Sequence, residues 1–202
     1  VRAVNDPPAI SSISSRSVSE DTSTGPLAFT VADIETSGSN LVVSAFSSNT
    51  NLVPNANLTL AIVSGGTNRT VTVLPGTNQF GTVNISIRVA DTDGAVVSNS
   101  FQLTINAVND PPTINPISDL TTNEDSGPVT VALTGVSSGA TNEIQPLTIT
   151  ATSGNPGLIP SVSVNYTPGA ATGSLSFTTV ANSNGVATIT VTAIDDGSSN
   201  AV

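Results

Sequence analysis

The segment AVNDPP stands at residues 3–8 and again, unchanged, at residues 107–112. The echo extends along the chain: Asn5 and Asn109, Glu20 and Glu124, Gly81 and Gly185, and Asp91 and Asp195 all recur 104 positions apart. A period of that length sets the size of the folding unit at about 100 residues, a common domain size. Between the anchors the spacing shifts by two, because EDTSTGP shortens to EDSGP and the following loop lengthens. Both changes fall in turn-like stretches, where insertions are tolerated. The chain therefore divides into residues 1–8, the end of an upstream repeat and its linker; 9–108, a first repeat; 109–112, a linker; and 113–202, a second, incomplete repeat. In support of the upstream strand, VRAV at the N-terminus matches INAV at 105–108.

Within each repeat the dominant pattern has a period of two. Val83, Ile85, Ile87 and Val89 alternate with Thr82, Asn84, Ser86 and Arg88, the signature of a half-buried strand. Phe101, Leu103 and Ile105 repeat it, as do Leu27, Phe29 and Val31, then Leu147 and Ile149, Leu175 and Phe177, and Ile189 and Val191. No helical stripe competes. The first repeat supplies candidate strands at 9–18, 26–32, 41–46, 57–62, 69–74, 82–90 and 96–107; the second supplies six and lacks the last. Short strands at this spacing predict an all-β chain of tandem immunoglobulin-like antiparallel β-sandwiches.

Composition removes several function classes. There are 14 acids against four arginines, no lysine, and a net charge of -10, so the clustered cations that phosphate binding needs are missing. No nucleic-acid partner is expected. No segment approaches the roughly 20 apolar residues of a membrane helix, so direct membrane insertion is not expected either. Without His, Cys or Lys, acid–base chemistry would fall to carboxylates alone, and no enzyme is expected.

The acids themselves are ordered. If the strands run up and down a sandwich, the N-terminal linker and the loops after strands two, four and six share one end. The loops after strands one, three and five share the other end with the exit. Glu20 and Asp21 then lie beside the exit linker with Asn109 and Asp110, facing Asn142, Glu143, Asp195 and Asp196 of the next repeat. By the same alternation Asp6, Asp33, Glu35, Asp91 and Asp93 meet at the upstream junction, and Glu124 and Asp125 at the downstream one. Two carboxylates about 4 Å apart repel by roughly 4 kcal/mol at an effective dielectric of about 20, so such junctions call for a cation. An all-oxygen donor set favours Ca²⁺.

The Asn-Asp-Pro-Pro linkers, the early Glu-Asp, the segments VADIET and SSGATNEIQPLTITATS, and Asp-x-Asp-Gly before the last strand together resemble bacterial cadherin-like and immunoglobulin-like tandem repeats. The likeness covers essentially the whole chain. It implies a structural repeat of a very large exported protein, extracellular or at the bacterial cell surface, such as an adhesin stalk or fibre. Its partners would be neighbouring repeats of the same polypeptide. The resemblance further implies Glu20, Asp21, Asn109, Asp110, Glu143 and Asp195 as Ca²⁺ ligands at a stiffened joint. Two other roles fit the same pattern: a self-assembling filament subunit joined to other subunits by β-strand complementation, and a glycan-binding module.

Overall fold

The alternating segments become thirteen strands in the computed structural model, which describes residues 4–197. Two compact units part between Val108 and Asn109. The first contains β1 (Ala9–Ile10), β2 (Arg16–Ser19), β3 (Leu27–Ala32), β4 (Val42–Ser47), β5 (Leu58–Ser64), β6 (Asn68–Val73), β7 (Gly81–Ala90) and β8 (Val96–Asn106). They form two four-stranded sheets, ordered β1-β3-β6-β5 and β2-β8-β7-β4. All pairings are antiparallel except that of β2 with β8, which is parallel.

The expected first strand, 9–18, is two strands in two different sheets. Ala9 and Ile10 pair with β3, and this edge ends where the Ser11 N–H reaches the Thr30 carbonyl and the Thr30 N–H reaches Ser11 Oγ. The chain then changes sheet, with Ile13 packed against the core, and Arg16–Ser19 pair with Leu103–Asn106 of β8. Alternation alone is blind to such a switch, because it reports a face and not a partner.

The core of this unit is a single cluster between the sheets. Val83, Ile85, Ile87 and Val89 of β7 are at most 2 % exposed, and they meet Phe29, Val31, Val71 and Val73 with Phe101, Leu103 and Ile105 of β8.

The second unit has β9 (Val129–Thr134), β10 (Thr148–Ser153), β11 (Val162–Tyr166), β12 (Thr172–Phe177) and β13 (Ile189–Ile194), in sheets β11-β12-β9 and β10-β13. Six strands are expected here and five are found among the described residues. The first is reduced to one bridge, Thr113 with Ser137. That bridge is the counterpart of β1, whereas 120–123, the counterpart of β2, form no strand: in the first unit β2 is held by β8, and no described residue of the second unit takes the place of β8. For the same reason β13 is six residues long where β7 has ten. The core divides accordingly into Leu133, Val136, Leu147, Ile149 and Leu175 on one side and Leu158, Ile159 and Phe177 on the other. The upstream strand read at residues 1–3 and the expected start of a final strand after residue 197 lie outside the described residues.

Candidate functional site

Each unit fastens its own N-terminal linker with the acids singled out in the sequence. In the first unit Asn5 Nδ2 donates to Asp91 Oδ2 at 2.8 Å. In the second, Asn109 Nδ2 donates to Asp195 Oδ2 at 3.2 Å, across the same separation of 86 residues. The next linker residue repeats the pattern through its backbone: the Asp6 N–H reaches Glu35 Oε2 at 3.3 Å, and the Asp110 N–H reaches Glu143 Oε1 at 2.9 Å. The stiff prolines that follow allow the Asn-Asp pair to be held as one piece.

The other oxygen of each Asp shapes the turn it stands in. Asp91 Oδ1 accepts the N–H groups of Asp93, Gly94 and Ala95 at 2.9, 2.7 and 2.8 Å. Asp195 Oδ1 accepts that of Gly197 at 2.9 Å. Asp91 is therefore both turn former and linker anchor, and these bonds, led by the one from Asn5, hold its carboxyl below the ordinary value against the opposing effect of burial. Asp33 Oδ1 likewise accepts from Glu35 and Thr36, shaping the loop after β3. Asp93 contributes its N–H to Asp91 and points an exposed side chain to solvent; Asp196, beside Asp195, is exposed.

At the opposite end of the first unit the acids also engage backbone. Glu20, 5 % exposed, accepts the Val108 N–H through Oε1 at 2.6 Å, which pins the exit of β8. Asp21, with φ of 55°, accepts the Asn78 N–H at 3.0 Å. Asp125, with φ of 57°, accepts that of Asn182 at 3.2 Å, the same contact one repeat on. Asp and Asn tolerate this left-handed conformation better than other side chains do.

Three participants escaped the sequence reading. Gln145, buried, donates to Asn109 Oδ1 at 2.6 Å and completes a relay from Gln145 through Asn109 to Asp195. Gly139 lies under the second linker, where a Cβ would stand 2.7 Å from Asp110 Cβ and 2.8 Å from the Pro111 carbonyl. Arg69, buried in β6, donates to the carbonyls of Gly38 and Leu41 at 2.7 and 3.4 Å, fixing the loop that leads into β4. The available signals were weak: an amide near an acid, a Gly in a polar loop, and a lone cation on an apolar alternation.

Four oxygens of the linker clasps are buried and accept no hydrogen bond among the described residues: Asn5 Oδ1 and Asp33 Oδ2 in the first unit, Asp110 Oδ2 and Glu143 Oε2 in the second. The second unit offers them no compensation of its own, since all four arginines lie at or before residue 88 and there is no lysine. Three of the four belong to carboxylates, which are costly to bury uncompensated, and the all-oxygen chemistry is that of a Ca²⁺ ligand set. Asp110 and Glu143 would be the protein's side-chain ligands in that unit. Among the described residues no three carboxylates are gathered closely enough to hold a metal ion, so the remaining ligands would be carbonyls and water.

Several solved structures of tandem β-domains are similar across most of the chain. The Drosophila N-cadherin EC1-4 structure shares 12 % identity over 96 % of this chain and 46 % of that one, with a TM-score of 0.46. The human desmocollin-1 ectodomain shares 13 % over 98 % and 37 %, with a TM-score of 0.36. A chimeric titin Z1Z2 carrying a decorin peptide shares 12 % over 96 % and 97 %, with a TM-score of 0.37. The chain thus spans less than half the length of these cadherin structures. No curated protein sequence matches it. Residues 5–105, which run from the first clasp residue to the last buried position of β8, match the family described as the bacterial Ig domain, and the chain belongs to that family.

Proposed function

We propose that this chain is a non-enzymatic spacer segment of a larger bacterial protein that works outside the cell or at its surface, and that its clasps serve to hold linkers in fixed orientation. One observation carries the reading: Asn5–Asp91 and Asn109–Asp195 are the same bond, repeated with the same separation. A residue pair kept in register while the loops between change length belongs to the connection between repeats. No described helix is long and apolar enough to cross a membrane. Replacing Asn109 by Ala tests the proposal. Small-angle scattering should report a broader distribution of shapes for the variant, while circular dichroism keeps its β signature. An unchanged scattering profile would remove the linker role.

Calcium deepens the same reading. Bound Ca²⁺ would supply the positive charge that Asp110 and Glu143 lack. Extracellular modules bind Ca²⁺ at roughly 10⁻⁴ to 10⁻³ M, and a tenfold excess over the dissociation constant contributes about 1.4 kcal/mol per site. Calorimetry in EGTA and then in excess Ca²⁺ should show the rise. The pair Asp110→Asn and Glu143→Gln should abolish it in the second unit. Superimposable melts with and without the ion rule calcium out and leave the scattering test standing.

A further inference from the structure

The inward-facing row of β6 begins with a cation. Arg69 precedes Val71 and Val73 on that row and is 7 % exposed. Its guanidinium donates to the carbonyls of Gly38 and Leu41, while its buried Nε has no acceptor among the described residues. The surrounding sequence supplies no counter-charge: no Asp or Glu stands between Glu35 and Asp91, so β4, β5, β6 and β7 are free of acids. Asp33 and Glu35, on the preceding loop, give oxygens to backbone N–H groups instead. A cation buried without a carboxylate is costly, and two carbonyls offset only part of that cost.

Beside Arg69 lies a slot of about 80 Å³, lined otherwise by Val43, Leu60, Ala61 and Ile62. It stands at β4 and β5, each the last strand of its sheet, and Ile62, the register partner of Arg69, is 58 % exposed there. The second unit fills the same place differently. The 104-residue shift maps the pair Ile62–Arg69 onto Tyr166–Gly173, which is a register pair as well. A Cβ on Gly173 would stand 3.2 Å from Tyr166 Cδ2, so the ring covers the ground that the arginine holds in the first unit. Packing at this position therefore does not require a cation.

We propose that the slot binds a carboxylate carried on a short aliphatic stem. The carboxylate accepts the Arg69 Nε–H in a charge-assisted hydrogen bond and neutralises the guanidinium, which its two carbonyl bonds already hold in place. Val43, Leu60 and Ile62 pack against the methylenes of the stem. A neutral amide would leave the charge unmet, and a phosphate would bring a more strongly hydrated anion against hydrocarbon walls. A free short-chain acid presents this group, and so does a Glu side chain on an extended segment laid along the free edge of β5. The proposal rests neither on calcium nor on the spacer role.

The test follows the arginine Nε–H signals by NMR while sodium propionate replaces sodium chloride at constant ionic strength. The Arg69 signal should move to a saturating limit, and those of Arg2, Arg16 and Arg88 should not saturate. Propionamide should leave Arg69 unmoved. Ile62→Tyr, which places the second unit's ring at the slot, should abolish the shift while circular dichroism keeps its β signature. In calorimetry, saturating propionate should raise the melting temperature of the first unit alone, and Arg69→Met should erase that rise. A peptide with one Glu among alternating Val and Thr separates the two sources of the carboxylate. Half-saturation at a concentration at least about tenfold below that of propionate assigns the site to a Glu on an extended partner, and equal concentrations assign it to the free acid. Absence of a saturable shift, a shift shared by all the arginines, a shift reproduced by propionamide, or one that survives Ile62→Tyr would each overturn the proposal.

Discussion

Leu133→Ala should unfold the second unit at room temperature and leave the first unit's melt in place. Leu133 is fully buried in β9 and stands in a cluster of only five buried residues. Removing it costs about 2–5 kcal/mol in lost transfer energy and cavity. A domain of this size holds only about 5–15 kcal/mol in total, and this one leaves Val131, Ile189 and Val191 half-buried, which places it at the low end. Leu103→Ala is the control, since Leu103 is equally buried but sits in the fifteen-residue cluster of the first unit. Calorimetry should resolve two transitions in the parent and only the upper one in Leu133→Ala. Leu103→Ala should lower the upper transition without erasing it. Equal shifts in both would mean that the two cores are of comparable strength.

Asp91→Ala should be the most damaging single change at either clasp, because it removes the acceptor of three backbone N–H groups and of the Asn5 amide at once. The turn into β8 and the anchor of the linker would be lost together. The pH dependence follows from the same bonds. The carboxyl titrates lower in the folded protein than in the unfolded chain, so the unfolded chain takes up the proton first as pH falls. The stability Asp91 contributes is complete above its unfolded value, about 3.9, and is lost as pH drops through the folded value. Melting temperatures between pH 7 and pH 3 should show an acid decline in the first unit that is shallower in Asp91→Asn. Equal slopes would assign the decline to other carboxylates.

The strands of the first unit were legible because their alternation is produced by the fold itself. Val83, Ile85, Ile87 and Val89 must face one way, and no other secondary structure puts them there. What alternation does not carry is the identity of the neighbour. Arg16–Ser19 and Leu120–Asn123 stand at equivalent positions, yet only the former is a strand, because among the described residues only there is a β8 to pair with. The clasps were half legible in the same sense. Register and spacing associate Asn5 with Asp91 and Asn109 with Asp195, since both members of each pair fall at one end of a sandwich. Which atom each carboxylate engages depends on turn geometry within a few tenths of an ångström, and so the backbone N–H groups held by Asp91, Glu20 and Asp21 left no trace in composition.

The parallel pairing of β2 with β8 has a mechanical meaning. β8 is the last strand of the first unit and β2 follows only the two-residue β1, and Arg16–Ser19 run alongside Leu103–Asn106 in the same direction. Tension applied to the two ends pulls such strands past each other, so the bonds between them are loaded simultaneously in shear and cannot be peeled one at a time. The unit yields only when the whole set breaks together. Among the described residues the second unit, whose counterpart of β2 is in no strand, shows no such lock. In a single-molecule stretching experiment on this chain, the second unit should extend at low force and the first should rupture later, in one sharp event.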